Sequence, residues 1–379
     1  MAAADPSMHG PRLLRARVLV PVLVILFAIF LLPGASLYYH YSGGRSCTRC
    51  HEIWQPYRDW HESAHRDIAC SECHGDVLTL DAGFHLKNIR QLATHLRGKA
   101  PEQVRLKTDD VLNIEKRCAK CHREEFASWA AGPHSATYTR IFLNQEHNKQ
   151  TRLMDDCLRC HSMHFQGSIR DLVTPIDTQG PWKLRDSRLA DQPAMPCLTC
   201  HQMHRHGAQL IHEDEDRKPD DAGPRQEITR PSLALFDRRE QDYVPLRDLS
   251  LPQMYEGARP VKISPDQRQA LCYQCHAPSA GGQVGTGDDR TPIGVHEGLS
   301  CLACHEKHGQ TTRASCSTCH PQLSNCGLDV EKMDTTFKTA KSLHNVHTVK
   351  CLDCHKNGIP KSKKINNHEG HEVTRRTQA

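Results

Sequence analysis

The sequence predicts a mainly α chain with much irregular structure, very little β, and one N-terminal transmembrane helix. Three observations predict it: an uncharged apolar run near the N-terminus, a hydrophobic content too low for a large core, and a cysteine motif repeated along the rest. Of 379 residues, 37% are hydrophobic and 5% aromatic. Part of that content sits in the N-terminal run, so the remainder is thin for a chain long enough to form two domains. Something other than aliphatic side chains must fill the interior. The 49 basic and 44 acidic residues give a formal charge of +5. Such a mixed surface has no basic excess of the kind that a nucleic-acid partner requires.

The apolar run spans 18–37 and follows Arg12, Arg15 and Arg17. Twenty residues at about 1.5 Å each match the roughly 30 Å of bilayer hydrocarbon. Pro21 falls near its start, where a missing N–H does least harm. Tyr38, Tyr39 and Tyr41 follow at the far end, where aromatic rings favour the membrane interface. The expectation is a single-pass anchor in the inner membrane of a bacterium. Its basic N-terminus, 1–17, is cytoplasmic and the rest of the chain is in the periplasm. A cleaved signal peptide is the other reading, but Pro33-Gly34-Ala35 is a poor cleavage site.

The cysteines carry the strongest signal. Eighteen of the 19 fall into Cys-x-x-Cys pairs, and a His follows every pair directly. The nine sets are Cys47, Cys50 and His51; Cys70, Cys73 and His74; Cys118, Cys121 and His122; Cys157, Cys160 and His161; Cys197, Cys200 and His201; Cys272, Cys275 and His276; Cys301, Cys304 and His305; Cys316, Cys319 and His320; and Cys351, Cys354 and His355. A disulfide framework has no reason to place His at one offset every time, and zinc sites need paired ligand sets. Cys-x-x-Cys-His is the attachment signature of c-type haem. Two thiols on one turn reach the two porphyrin vinyl groups, and the adjacent imidazole binds the iron as proximal ligand. Nine covalent haems then supply the missing core, and the polypeptide wraps them in short helices and loops.

Nine of the 27 His are proximal, and His9 lies ahead of the anchor. The remainder supply candidates for the opposite, distal face of each iron. Tyr57-x-x-Trp60-x4-His65 recurs as Phe126-x-x-Trp129-x4-His134, with aromatics sharing a helical face. His164, His204 and His308 each stand three places past a proximal His, where a helical turn points them at a neighbouring haem. His147, His296, His344 and His347 lie just upstream of pairs. These nine form the expected distal set; His61, His85, His95, His206 and His212 form a weaker tier. Met163 and Met203 are alternative ligands that would raise a potential relative to His.

The motifs divide the chain. A five-haem module is expected over 38–204 and a four-haem module over 271–355, with a haem-free connection rich in proline and charge over 205–270. Leu233, Leu235, Phe236, Tyr243, Val244 and Tyr255 offer that connection apolar anchors, which favours a strap over a free linker. A basic tail, 356–379, contains Lys361, Lys363, Lys364, Arg375 and Arg376, and reads as a solvated terminus or a docking patch. Cys326 is the unpaired cysteine, read as an iron ligand, a reactive thiol or a bystander.

Residues 10–135 resemble the NapC/NirT family of membrane-anchored multihaem quinol dehydrogenases. The likeness is carried by the anchor, Cys47-Thr48-Arg49-Cys50-His51, Glu62-Ser63-Ala64-His65 and Cys70-Ser71-Glu72-Cys73-His74. The resemblance implies electron transfer from membrane quinol to periplasmic redox partners. The family commonly has a Met ligand two places after the first proximal His; Ile53 stands there instead. The remainder resembles multihaem cytochromes with doubled motifs in general.

Haems bound by two His have no site for substrate, which makes electron transfer the leading function. Partners expected are quinol, a periplasmic redox protein and the lipid bilayer, with assembly into an oligomer or larger complex open. Glu52, Asp59 and Glu62 are candidate bases for the protons of quinol. The rival reading is a reductase of nitrite, hydroxylamine or tetrathionate with one open haem near Cys326 or Lys332. A third is a subunit whose haems wire a larger complex.

Overall fold

The computed structural model describes residues 10–75, 82–100, 106–204, 210–213, 226–229, 232–276, 294, 296–309, 329, 346–347 and 349–358. The chain divides into two units. The first is Met1–Ser250 with Glu306–Thr311, and the second is Leu251–His305 with Thr312–Ala379. Expectations that fall on Cys316, Cys319, His320, Cys326, Lys332, His206, His344 and the tail 359–379 lie outside the described residues, as do the side chains of His85, His212 and Cys351.

The first unit opens on α1, Gly10–Tyr41, which contains Pro21 and Pro33. The expected transmembrane helix over 18–37 lies within α1, and that expectation is corrected. Among the described residues, no helix is long and apolar enough to cross a membrane.

Short helices follow: α2 (Trp54–His61), α3 (Cys70–His74), α4 (Ala82–Leu96), α5 (Thr108–Cys121) and α6 (Arg123–Ala130). Polar groups set their starts. In α5, Asp110 Oδ2 accepts from the Lys107 N–H at 3.3 Å. Asp109 and Asp110 in its first turn complement the positive end of the helix dipole. Its buried face is Val111, Leu112, Ile114 and Glu115, spaced by three and four residues. Beyond lie α7 (Tyr138–Phe142), α8 (Gln145–Gln150) and α9 (Ile169–Leu172). Thr137 and Asn144 cap α7 and α8 by accepting from the Arg140 and His147 amides at 3.2 Å.

The best-packed core surrounds the fourth motif. Leu112, Tyr138, Phe142, Leu153, Leu158, Ile169, Leu172, Val173, Leu189 and Ala194 form one buried cluster. Full burial of side chains of this kind contributes about 1.5–3 kcal/mol each. Ser162 takes φ 70°, costly for a residue with a Cβ. Its Oγ donates to Tyr138 Oη at 2.6 Å, and its amide donates to Ala194 O at 3.0 Å.

The β content is four antiparallel pairs among the described residues: β1 (Val173–Thr174) with β2 (Lys183–Leu184), β3 (Leu210–Glu213) with β4 (Gln226–Thr229), β5 (Ala234–Asp237) with β6 (Asp242–Pro245), and β7 (Met254–Glu256) with β8 (Arg259–Val261). Three of these pairs fall in the haem-free connection. In β5 burial alternates, Ala234 and Phe236 facing in. The apolar residues expected to anchor a strap thus belong to hairpins, except Leu233, which bridges to His201. The second unit contains β7, β8, α10 (Gln269–Tyr273), α11 (Cys301–Cys304) and α12 (Cys351–Cys354). Its described apolar core is small: Met254, Val261 and Tyr273, with Leu251, Ile263 and Cys301 against them.

Candidate haem-binding sites

Each described motif lies on or beside a single helical turn. The first starts in the 3-10 turn Arg45–Arg49, the fourth in Asp155–Arg159 and the fifth in Cys197–Thr199. The second is α3, the third ends α5, and the sixth, seventh and ninth occupy α10, α11 and α12 with the residues just after them. The motif's His amide donates to the carbonyl of its first Cys at 2.9 Å in the third, fourth and seventh, 3.0 Å in the fifth and 2.8 Å in the sixth. One turn therefore carries both sulfurs, and the His leaves from its end. That is the arrangement in which two thiols span a flat ring and an imidazole passes beneath it.

Five imidazole pairs lie at nearly one separation. His51 and His95 have ring centroids 5.4 Å apart, and His74 and His204 5.7 Å. The separation is 6.1 Å for His65 and His122, 6.0 Å for His201 and His308, and 6.1 Å for His305 and His347. Two metal–imidazole bonds of about 2 Å placed in line separate the nitrogens by about 4 Å and the centroids by about 6 Å. The Nε2 atoms of His74 and His204 are 3.5 Å apart. With both Nε2 atoms facing, a single iron fits between His74 and His204; between His51 and His95 lies Glu52 Oε1, 2.6 Å from His95 Nδ1 and 3.5 Å from His51 Nε2. His204 is oriented from behind, since its Nδ1 donates to Pro56 O at 2.8 Å and leaves Nε2 as the ligating atom.

Burial raises the thiols of Cys47, Cys73, Cys118 and Cys197, and a cysteine of another motif adds to the rise: Cys70 at Cys47, Cys121 at Cys73, Cys73 at Cys118, and Cys118 at Cys197. In the second unit, Cys272 and Cys301 share a hydrogen bond. Gly44 explains one close approach. It sits at φ 85°, and a Cβ there would lie 2.8 Å from Cys70 Cβ.

Residues 44–213 match the family model of outer membrane cytochrome MtrC/MtrF-like, domains II/IV, and residues 249–309 match that of cytochrome c554 and c-prime. The chain is a multihaem c-type cytochrome. Electron transfer and covalently bound c-type haem follow from that identity. Neither matched model is that of the NapC/NirT family. No curated protein and no solved structure matches the cytochrome.

Burial sets the protonation of the cytochrome's ligating groups. It lowers His74 to about 4, aided by His204, and His201 to about 4, aided by His308 and His122. Both rings are therefore neutral near pH 7, the form that binds a metal. Before attachment, burial also raises the free thiol of Cys118 to about 11 and that of Cys197 to about 12, unlike the low-pKa thiol of a redox-active pair.

The remaining sequence candidates are placed as follows. The Tyr57–Trp60 and Phe126–Trp129 pairs have nearly equal geometry, with centroids 5.4 and 5.3 Å apart. His65, which follows the first motif, stands against His122 of the third. His134 sits in the turn Pro133–Ser135, and His147 Nδ1 lies 3.2 Å from Asn148 Oδ1. His296 holds the turn to Leu299 through its carbonyl. His164 instead stacks on Phe236 with centroids 4.0 Å apart, and its buried Nε2 has no hydrogen-bond partner. Met163 is buried and Met203 packs on Val111, Ile114 and Leu198. Asp59 is buried beside Gln55, whose Nε2 donates to it at 2.7 Å. Glu62 lies at the end of α2, its amide bonded to Arg58 O.

Sequence reasoning missed Glu115. It is 3% exposed, its Oε2 accepts from the Cys197 amide at 3.3 Å, and it sits one turn before Cys118. Burial raises its carboxyl from 4.5 to about 7, against the opposing pull of the Cys197 amide and Lys116. A raised acid binds its proton more tightly in the folded state. Its contribution to stability is complete below the ordinary carboxyl value and is lost as pH rises through about 7. The loss is on the order of 3 kcal/mol. Denaturant unfolding of the wild type should weaken between about pH 5 and 8, and the Glu115→Gln protein should show a flatter profile over that range.

Proposed function

We propose that the cytochrome carries nine haems, each held between two imidazoles where a second His is available, and conducts electrons without binding a substrate at iron. The observation that carries this reading is the set of imidazole pairs with centroids 5.4 to 6.1 Å apart, a separation that two axial ligands of one iron would have. The iron porphyrins supply reversible one-electron chemistry; the chain fixes their ligands, spacing and exclusion from water. Electrostatic coupling between cysteines of the first and second, second and third, and third and fifth motifs supports a route between their haems.

Membrane quinol is the proposed electron source and an extracytoplasmic redox protein the acceptor. The resemblance of the first two motifs to quinol-oxidising cytochromes supports the source. The likeness of residues 44–213 to an outer membrane cytochrome supports a place outside the cytoplasm. Electron paramagnetic resonance on the oxidised protein tests the reading, together with reduction by a soluble quinol. Low-spin signals alone, with haem reduction by quinol, are expected. A large high-spin signal that shifts with nitrite would replace conduction with a reductase.

A further inference from the structure

Helix α4 (Ala82–Leu96) is amphipathic with its sides reversed. Leu86, Ile89, Leu92 and Leu96 recur at intervals of three, three and four, so they share one face. All four are exposed, by 52% to 75%. The contacts that hold α4 lie on the other half of the helix. Lys87 Nζ donates to Asp110 Oδ1 on α5, and His95 Nδ1 lies 2.6 Å from Glu52 Oε1 beside the first motif. With 3.6 residues per turn, Lys87 and His95 stand about 160° and about 120° round the helix from Ile89. A surface helix ordinarily turns its aliphatic face inward. Four large aliphatic side chains together in water mark a surface that meets something else.

Charge says what that is. Between 82 and 100 there is no acidic residue, and the cations are Lys87, Arg90, Arg97 and Lys99. Lys87 is paired with Asp110, whereas Arg90, Arg97 and Lys99 are exposed. Arg90 borders the aliphatic face, about 40° round the helix from Leu86. Gly98, at φ 63°, ends the helix between Arg97 and Lys99. An aliphatic face edged by cations suits a layer with hydrocarbon beneath negative charge. The apolar side chains enter the acyl boundary, and Arg and Lys stay among anionic headgroups. A second copy of α4 would set one basic edge against another, which like charges oppose. Fifteen residues rise only about 22 Å, so the helix lies along a bilayer and does not cross it.

We propose that α4 docks the cytochrome on an anionic lipid bilayer, lying in the plane of the headgroups with its four aliphatic side chains in the acyl boundary. The first motif, reached from the far side of α4 through the contact of Glu52 with His95, then stands one helix diameter, about 10 Å, from the apolar layer. This docking is independent of α1 and of the identity of the electron donor.

Hydrogen exchange of the full haem-loaded chain, read by mass spectrometry on peptides covering 86–97, tests it. The probes are vesicles of phosphatidylglycerol mixed with phosphatidylcholine, and vesicles of phosphatidylcholine alone. Reading α4 itself keeps the result separate from any other segment that holds the protein on lipid. Amides of α4 should exchange more slowly on the mixed vesicles than without lipid, and high salt should remove much of that protection. Ile89→Ser and Arg90→Gln should each lose part of it, with unchanged haem absorption showing that both variants fold. Exchange of α4 unaltered by the mixed vesicles would overturn the proposal. Equal protection by phosphatidylcholine alone would overturn the role of the basic edge. Protection that grows with protein concentration in the absence of lipid would give the face to a second copy instead.

Discussion

Replacing His204 with Ala should convert one haem from low to high spin and leave the others unchanged. His204 is the clearest case because both its nitrogens are accounted for: Nδ1 donates to Pro56 O at 2.8 Å, and Nε2 lies 3.5 Å from His74 Nε2. Alanine removes the imidazole and leaves the His74 side with one ligand, so water or nothing completes the iron's sphere. The expected signature is one haem equivalent of high-spin signal, with a rise in that haem's potential as a basic ligand is lost. His61 offers a control. It resembles His204 in composition and differs in place, its ring against Tyr57 and Trp60, so His61→Ala should leave the spin count intact. An unchanged spectrum in the His204 variant would remove the second axial ligand from the account of the second haem.

The second large effect concerns the haem-free chain. The second unit's described apolar core consists of Met254, Val261 and Tyr273 with three partly buried neighbours. Burial of three such side chains contributes about 1.5–3 kcal/mol each. That is far below the conformational entropy lost in ordering the β7–β8 hairpin, α10, α11 and the loops between them. The porphyrins must provide the remainder. A chain produced without haem attachment should therefore lack fixed near-ultraviolet circular dichroism and show no protection from hydrogen exchange across 251–276 and 296–305. The segment around Tyr138, Phe142, Leu158 and Leu172, with its ten-residue buried cluster, should retain the most protection. A cooperative unfolding transition in the haem-free second unit would contradict the view that porphyrin serves as its core.

Different parts of this arrangement were legible to different degrees. The motif turns were plain, because two thiols and an imidazole at fixed offsets dictate one helical turn wherever they occur. His65, His204, His308 and His347 could be singled out by offset from a motif or an aromatic pair, and each stands opposite a proximal His. Which proximal His it faces was not legible: His65 follows the first motif and meets His122 of the third. His95 carried no local signal at all, since α4 brings it to His51 through tertiary packing. Glu52 could be named as an acid near the first haem, but its partner could not.

Two other differences have physical causes. The hairpins β5–β6 and β7–β8 were hidden by the density of proline and charge between 205 and 270. Phe236 and Tyr243 are cross-strand partners there, so the signal was an aromatic pair and not a long alternation. The N-terminal run looked like a membrane span because composition alone meets the length criterion. The helix Gly10–Tyr41 exists, but among the described residues no helix is long and apolar enough to cross a membrane.

The ligand facing His201 has an unusual origin. His308 belongs to the short insert Glu306–Thr311, which joins the first unit although the residues on either side of it belong to the second. A chain threaded across a membrane from its N-terminus presents Cys197, Cys200 and His201 for haem attachment long before residue 308 emerges. On the proposed pairing of His201 with His308, the haem at Cys197 and Cys200 gains its second ligand only once residue 308 has emerged, and a chain cut short between 202 and 307 is expected to accumulate with one high-spin haem.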